Sequence, residues 1–227
     1  MAVKKSGLKS SKSRLTRKQS SEFPGDTLFA KIARAVCNAG VLPAKELYEA
    51  WEVARRVRRK YRGGRVVDLA SGHGLLAHIM LLLDDSSPEA VAVDSSFPKN
   101  AAVLSGAIVA AWPRLEGRIR YLESSIADFE VGAGDLVLSI HACGVLTDTV
   151  LGKAVSAGAR VAVLPCCQDV AMSDTGGLKG WVDGPLAVDV MRAARLGAEG
   201  YTVVTQTIPA DITPKNRLLM GHPEAIR

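Results

Sequence analysis

The residues with the clearest chemistry follow a short apolar stretch, where Asp68 precedes residues 70–74, Ala-Ser-Gly-His-Gly. Glycine accepts positive φ angles and lets a ligand approach the backbone closely, so a strand that leads through Gly-x-Gly into a helix forms a binding notch. A second apolar stretch ends in Asp94, at the spacing at which a carboxylate takes the two hydroxyls of a ribose. Together the two segments predict a nucleoside-containing cofactor.

Two classes of cofactor fit this glycine loop. Residues 72–77 match the dinucleotide pattern G-x-G-x-x-G/A, which indicates a nicotinamide or flavin enzyme. Asp68 argues against that class, because a carboxylate beside the loop would repel a pyrophosphate. S-adenosylmethionine has no phosphate, and its ammonium and sulfonium groups would be attracted by Asp68 directly or through water. The loop therefore favours S-adenosylmethionine, while a purely structural role for Asp68 and the glycines stays open.

A second set of potentially reactive side chains lies at the ends of two predicted strands that are neighbours in the sheet. His141 and Cys143 lie at the end of the fourth predicted strand, and Cys166 and Cys167 lie at the end of the fifth. Ligands of open α/β sheets bind outside the carboxyl ends of the strands. We therefore expect these four side chains to converge beside the cofactor.

The elements that must position these groups alternate in type along the chain. Helical spacing predicts two helices before the first strand, and short β-branched runs alternate with helical segments from residue 65 onward. The connection at 209–214 is too short for a crossover, so the last two strands should pair antiparallel. The predicted fold is α/β and Rossmann-like, a seven-stranded mostly parallel sheet with an antiparallel last strand, flanked by helices. The strands are predicted at 65–70, 89–94, 118–122, 134–141, 160–166, 201–208 and 216–222.

Positive charge is concentrated in the first part of the chain. Residues 1–65 hold 17 of the 29 Lys and Arg but only five of the 23 acidic residues. We predict a basic disordered tail over 1–22, a helical extension over 23–62 and a cofactor-binding domain over 63–227. The cluster at 55–62 is interpreted either as a complement to a helix dipole or as an RNA-phosphate patch. RNA is therefore the expected partner, and no association with a membrane is expected.

The composition predicts a soluble, intracellular and cytoplasmic protein. At 227 residues and 48% hydrophobic content the chain can bury one sizeable core, and it shows no hydrophobic signal segment and no apolar run long enough to span a membrane. The four cysteines lack a disulfide framework and fit reduced thiols. His78 and His222 are predicted to be surface or core-edge residues.

Three segments carry a family resemblance more specific than the glycine loop. They are residues 68–74, the run His-Ala-Cys-Gly at 141–144 with Leu-Thr-Asp at 146–148, and Pro-Cys-Cys at 165–167. Together they resemble the class I methyltransferase domain shared by the tRNA acceptor-stem ribose 2′-O-methyltransferase, certain methyltransferase-like proteins and the glutathione S-transferase C-terminal domain-containing protein. Residues 45–49 are similar to the lysine-glutamate helix of that family. Ala70 and His73 depart from the glycine and lysine that are usual there, and no CHHC-type zinc finger precedes the domain.

The resemblance implies a role for each residue of the cofactor site. Asp68 would face the methionine end, Asp94 would bind ribose and Asp128 would accept the adenine amino group, although Asp128 could equally cap a turn. The complete prediction for cofactor binding is Asp68, Ala70, Ser71, Gly72, Gly74, Asp94, Ser95, Asp128 and His141.

Three roles compete for the histidine and the cysteines. His141 could orient or deprotonate an acceptor hydroxyl. One histidine and three thiols could bind zinc, although the adjacent Cys166 and Cys167 would chelate one ion awkwardly. Cys143 and Cys166 lie where cytosine-C5 RNA methyltransferases carry cysteines, one of which attacks the base. For Cys167 we favour packing. We predict His141, Cys143 and Cys166 as catalytic and no metal.

The sequence as a whole predicts an S-adenosylmethionine-dependent methyltransferase that acts on RNA. The first alternative is a small-molecule or protein methyltransferase. The second is a non-catalytic cofactor- or RNA-binding module, because a fold does not establish chemistry. A nicotinamide oxidoreductase is a distant third.

Overall fold

The structure is a computed structural model and describes residues 13–224. Within these residues one sheet has seven strands, which are β1 Val66–Leu69, β2 Ala90–Asp94, β3 Ile119–Glu123, β4 Leu136–Ser139, β5 Arg160–Val163, β6 Tyr201–Thr207 and β7 Arg217–Pro223. Their order across the sheet is β3-β2-β1-β4-β5-β7-β6.

The first five strands pair in parallel, and β7 runs antiparallel between β5 and β6. All seven predicted strands and the antiparallel end of the sheet are confirmed. The fourth and fifth strands are shorter than the predicted 134–141 and 160–166, because the backbone leaves the sheet after Ser139 and Val163 to form the loops that carry the histidine and the cysteines.

In the described part of the chain, six α-helices cover the two faces of the sheet. They are α1 Leu28–Ala39, α2 Ala44–Lys60, α3 Leu75–Leu83, α4 Ala101–Ala111, α5 Leu146–Ala157 and α6 Gly184–Ala198. Successive residues of a strand point to opposite faces, so Val66 lies in the apolar cluster with α1 to α4 and Val67 in the cluster with α5 and α6. Both faces of the central strands β1, β2 and β4 are buried, which is why these strands are mostly apolar, whereas the edge strand β3 is largely exposed. No helix within residues 13–224 combines the length and the apolar character that crossing a membrane requires.

Residues within the predicted disordered tail of 1–22 are part of the folded structure. Leu15 is only 2% exposed and its N–H donates to the Leu42 carbonyl at 2.7 Å, while residues Arg17–Glu22 form a short 3₁₀ helix. The prediction of a disordered tail therefore needs correction for this segment, because the single apolar Leu15 anchors it against the loop between α1 and α2. Residues 1–12 lie outside the described part.

Candidate functional site

The glycine loop connects β1 to α3 through backbone that few residues adopt. Ala70, Gly72 and Gly74 all have positive φ, at 55°, 54° and 74°. Only glycine takes this conformation without strain, and a Cβ added at Gly74 would lie 2.8 Å from the Tyr121 hydroxyl. The loop is therefore held in a strained, open form, with Ala70 as its one non-glycine member at positive φ.

The end of β2 is bonded directly to this loop. The Gly72 N–H donates to the Asp94 carboxylate at 2.9 Å, and the Ser71 N–H donates to the Val93 carbonyl at 3.1 Å. Asp94 is partly exposed and Ser95 is exposed. The structure thus brings the predicted loop and ribose-binding residues together at one edge of the sheet.

Several buried polar atoms beneath the glycine loop have no hydrogen-bond partner among residues 13–224. Asp68 is 1% exposed, and neither of its carboxylate oxygens has a hydrogen-bond partner; the buried Ser71 hydroxyl has none either. Burial raises the pKa of Asp68 to about 8, the nearby Ala77 N–H only partly offsets this, and the charge of Asp94 adds to it. A buried carboxylate without a partner is stabilised by a cation. These orphaned oxygens fit the ammonium and sulfonium of S-adenosylmethionine.

His141 lies across the cleft from α2. Its ring lies beside Gly72, where an added Cβ would come 3.9 Å from His141 Cδ2. Burial lowers the pKa of His141, the positive charge of Lys45 lowers it further, and Asp94 acts in the opposite direction. The imidazole is therefore neutral at pH 7 and able to accept a proton. The residues around this cleft are Leu42, Glu46, Ala50, Ser71, His73, Leu75, Leu76, Ile140 and His141.

Helix α2 supplies site residues that pattern analysis alone did not single out. Glu46, in the first turn of α2, lines the cleft, and burial raises the pKa of its carboxyl. Lys45 pairs with Glu49 at 3.4 Å. Helical spacing predicted this helix, and the resemblance at 45–49 was the sequence signal for the residues that it brings to the site. On α3, His78 is fully buried, whereas the prediction placed it at the surface or core edge. Its Nδ1 contacts the Gly74 carbonyl at 2.7 Å.

Asp128 uses its carboxylate within its own turn. The Ser125 hydroxyl donates to Asp128 Oδ2 at 2.7 Å, and the Asp128 N–H donates back to Ser125 Oγ at 3.2 Å. The side chain is exposed after β3. This turn is the alternative that the sequence left open, and binding of the adenine amine by Asp128 stays a prediction.

The three cysteines at the ends of β4 and β5 converge. The sulfurs of Cys143, Cys166 and Cys167 all lie within 4.8 Å of one another, and those of Cys143 and Cys166 are 2.7 Å apart. Within the described residues His141 is not part of this group; it contacts the glycine loop instead. The expectation that Cys167 is a packing residue is wrong, because its side chain is exposed and its sulfur belongs to the cluster.

A buried ion network holds the loop that carries Cys143. Arg192, on α6, donates two hydrogen bonds to the Asp148 carboxylate at 2.8 and 3.0 Å and one to the Gly144 carbonyl at 2.8 Å. Asp189 binds Arg192 on one oxygen and Gln168 and Arg217 on the other. The side chain of Arg192 is buried, so this pairing satisfies a charge that would otherwise be costly.

Half of the six cations at 55–62 are buried or half-buried and paired within the fold, and Arg59, Lys60 and Arg62 are exposed. Arg58 is 2% exposed and binds Asp84, the Met80 carbonyl and the Ser87 hydroxyl. Arg55 and Arg56 pair with Glu52. The predicted patch over 55–62 therefore presents fewer cations to a ligand than its sequence suggests.

A family model described as a methyltransferase domain matches residues 44–173, which is more than half of the chain. The chain belongs to this methyltransferase family. None of the curated protein sequences compared with the chain matches it.

Solved structures with the same fold are also methyltransferases. An O-methyltransferase family protein from Burkholderia thailandensis is 20% identical, with a TM-score of 0.51 over 93% of this chain and 64% of its own. The S-adenosylmethionine-dependent methyltransferase SibL is 19% identical, with a TM-score of 0.54 over 93% of this chain and 66% of its own. The mitomycin 7-O-methyltransferase MmcR is 16% identical, with a TM-score of 0.51 over 91% of this chain and 60% of its own. This chain therefore spans about two thirds or less of their lengths.

The class I methyltransferase fold is confirmed by these structures and by the sheet order. The prediction of a methyltransferase domain is confirmed by the family match. Methyl transfer by this chain and S-adenosylmethionine as its cofactor are taken up as proposals. The acceptor and the roles of individual residues belong to the proposal that follows.

Proposed function

We propose that the chain transfers a methyl group from S-adenosylmethionine to RNA. The observation that carries the cofactor side of this proposal is the buried Asp68 carboxylate, without a hydrogen-bond partner, directly beneath the glycine loop. When bound, S-adenosylmethionine supplies an electrophilic methyl group. Asp68 and Ser71 would hold its methionine end, and Asp94 would accept hydrogen bonds from its ribose.

His141 is proposed to handle the proton of the acceptor. Its neutral imidazole lies next to Gly72, at the carboxyl edge of the sheet. A neutral imidazole accepts the proton that an acceptor hydroxyl or amine loses during methyl transfer, and this step is favoured near neutral pH. Glu46 lies in the same cleft and would orient the acceptor.

The support for RNA comes from where the basic N-terminal segment meets the fold. Leu15 is bonded to Leu42, and Leu42 lines the cleft together with His141. The exposed cations Arg14, Arg17 and Lys18 therefore lie on a segment that is anchored to a residue of the cleft. The resemblance to a tRNA-modifying domain supports the same acceptor class.

The far end of α2 is a weaker candidate for the RNA surface. A helix of 17 residues is about 25 Å long, and α2 begins at the cleft and ends beside Asp84, before β2. Arg59 and Lys60 consequently lie at the opposite edge of the sheet from His141. RNA bound at the N-terminal segment reaches the cleft without passing the end of α2.

The test is transfer of an isotope-labelled methyl group from S-adenosylmethionine to separated RNA, protein and metabolite fractions. We expect label in RNA, its loss in His141→Ala with S-adenosylhomocysteine binding retained, and full activity in the control His222→Gln, whose ring contacts Tyr61 outside the cleft. Label in protein or metabolites alone would exclude RNA as acceptor. Cofactor binding without label in any fraction would exclude catalysis on all three classes.

A further inference from the structure

We propose that Cys143, Cys166 and Cys167 form a zinc site with three thiolate ligands and an open fourth position. The cluster joins two loops, one after β4 and one after β5, and its three sulfurs lie within 4.8 Å of one another. The site is separate from the residues assigned to the cofactor, and the proposal does not depend on the acceptor.

The distances suit a single tetrahedral ion. Zinc binds thiolates at about 2.3 Å, which separates two sulfurs on the same ion by about 3.8 Å. The spacing of 2.7 Å between Cys143 and Cys166 is shorter than this, and the limit of 4.8 Å for the whole group brackets it. Sulfur shifts of about 1 Å, within reach of side-chain rotation, would place all three around one ion.

Hydrogen bonds hold the two loops next to each other at the cluster. The Gly144 N–H donates to the Cys167 carbonyl at 3.1 Å, which ties the two loops together next to the sulfurs. Arg192 holds the Gly144 carbonyl, and Gln168 is bound to Asp189. Orientation of ligands by surrounding hydrogen bonds is a general property of metal sites.

The composition of the cluster favours zinc over a disulfide. A disulfide uses two sulfurs and would leave the third thiol beside it, whereas three thiolates satisfy a zinc ion that keeps one position for water or another ligand. Among the described residues the group holds only the three thiols, and the carboxylate of Asp169 accepts hydrogen bonds from its own turn. The fourth position is therefore open to solvent or substrate.

Zinc binding would release the three thiol protons to solvent. One Zn²⁺ then replaces three protons, so affinity rises with pH.

Titration of the reduced full chain with Co²⁺, followed by displacement with Zn²⁺, tests the site directly. We expect one ion per chain, a thiolate-to-cobalt charge-transfer band and the intense visible bands of four-coordinate cobalt. Cys143→Ser, Cys166→Ser and Cys167→Ser should each weaken zinc binding by at least about 100-fold. Cys37→Ala, which changes a buried cysteine of α1, should leave the spectrum intact.

Three results would overturn the proposal. They are the absence of a thiolate-to-cobalt band in reduced protein, unchanged zinc affinity in the three serine variants, and loss of the band in His141→Ala, which would make the histidine a ligand and close the fourth position. Native mass spectrometry distinguishes a zinc-bound chain from one that carries a disulfide between Cys143 and Cys166, and finding the disulfide alone in protein kept with zinc would also contradict the site. Each readout is independent of methyl transfer, so its failure is separable from failure of the proposed function.

Discussion

The Gly72 N–H donates to Asp94 Oδ2 at 2.9 Å, which joins the turn after β1 to the last residue of β2. Gly72 has positive φ, so its N–H is turned toward the neighbouring strand rather than along its own. The carboxylate that is proposed to bind ribose is therefore also a support of the glycine loop. Changes at Asp94 act on both the cofactor and the shape of the loop.

Replacing Asp94 separates these two roles. Asp94→Ala should weaken S-adenosylhomocysteine binding by about 2–4 kcal/mol, because two charge-assisted hydrogen bonds to ribose are lost. It should also lower the free energy of unfolding by about 1–3 kcal/mol, since the Gly72 N–H loses its acceptor. Asp94→Asn keeps an acceptor oxygen and should restore most of the stability but not the affinity. Calorimetry and thermal unfolding measure the two effects, and unchanged affinity in both variants would place the adenosine elsewhere.

Asp68 should make the ligand-free protein less stable as pH rises. Its pKa is about 8 in the fold against 3.8 for the free side chain, so between these values the folded state holds a proton that the unfolded state has lost. Stability contributed by this group therefore falls from about pH 4 to about pH 8 and is constant above. Asp68→Asn removes the dependence, so its advantage over the parent in unfolding midpoint should grow from pH 5 to pH 8 while its affinity for S-adenosylmethionine falls. A constant difference across this range would contradict the raised pKa.

His141 should titrate below the usual range of histidine, with Lys45 as one cause. Burial and the Lys45 charge both lower the pKa of His141, so Lys45→Gln should raise the midpoint of its ring-proton titration, followed by NMR. The proton-accepting form would then be lost at a higher pH in the variant. Lys31→Gln removes an exposed cation that pairs with Asp26 and should leave the midpoint unchanged. Equal midpoints in the parent and Lys45→Gln would remove Lys45 from the electrostatics of the cleft.

The sheet and the glycine loop could be predicted from the sequence because their signals are local. Alternating apolar runs define the strands, and the glycines at 72 and 74 mark positive φ within a few residues. Convergence of the cysteines also follows from topology, since strands that are neighbours end at the same edge. The separation of His141 from the cysteines does not follow, because it depends on how each loop turns after its strand.

Contacts between segments that are distant in the chain could not be predicted from sequence patterns. Arg58 reads as an exposed helix-end cation, yet Asp84 and Ser87, more than twenty residues further on, bury it. Arg192 reaches back to the loop at Gly144 in the same way. Leu15 appeared as one apolar residue in a basic run, and only the α1–α2 loop makes it a core residue. In each case tertiary packing, not local preference, decides the role of the side chain.

The salt dependence of RNA binding should locate the RNA surface on the N-terminal segment. Changing Arg14, Arg17 and Lys18 together to glutamine removes three exposed cations from the N-terminal segment and should reduce the slope of log affinity against log salt by about 2, at about 0.7 to 0.9 per phosphate contact. The matched control is Arg59→Gln with Lys60→Gln, which removes exposed charge at the far end of α2.

The control should leave the slope nearly unchanged, and S-adenosylhomocysteine affinity should be the same in both variants, because neither set lines the cleft. Arg55 and Arg58 are unsuitable for this comparison, since their pairing with Glu52 and Asp84 would add a loss of stability. A larger fall in slope for the control would move the RNA surface to the end of α2. No RNA binding by the parent chain at low salt would leave the N-terminal cations as a solvated segment and direct the search for the acceptor to small molecules or proteins.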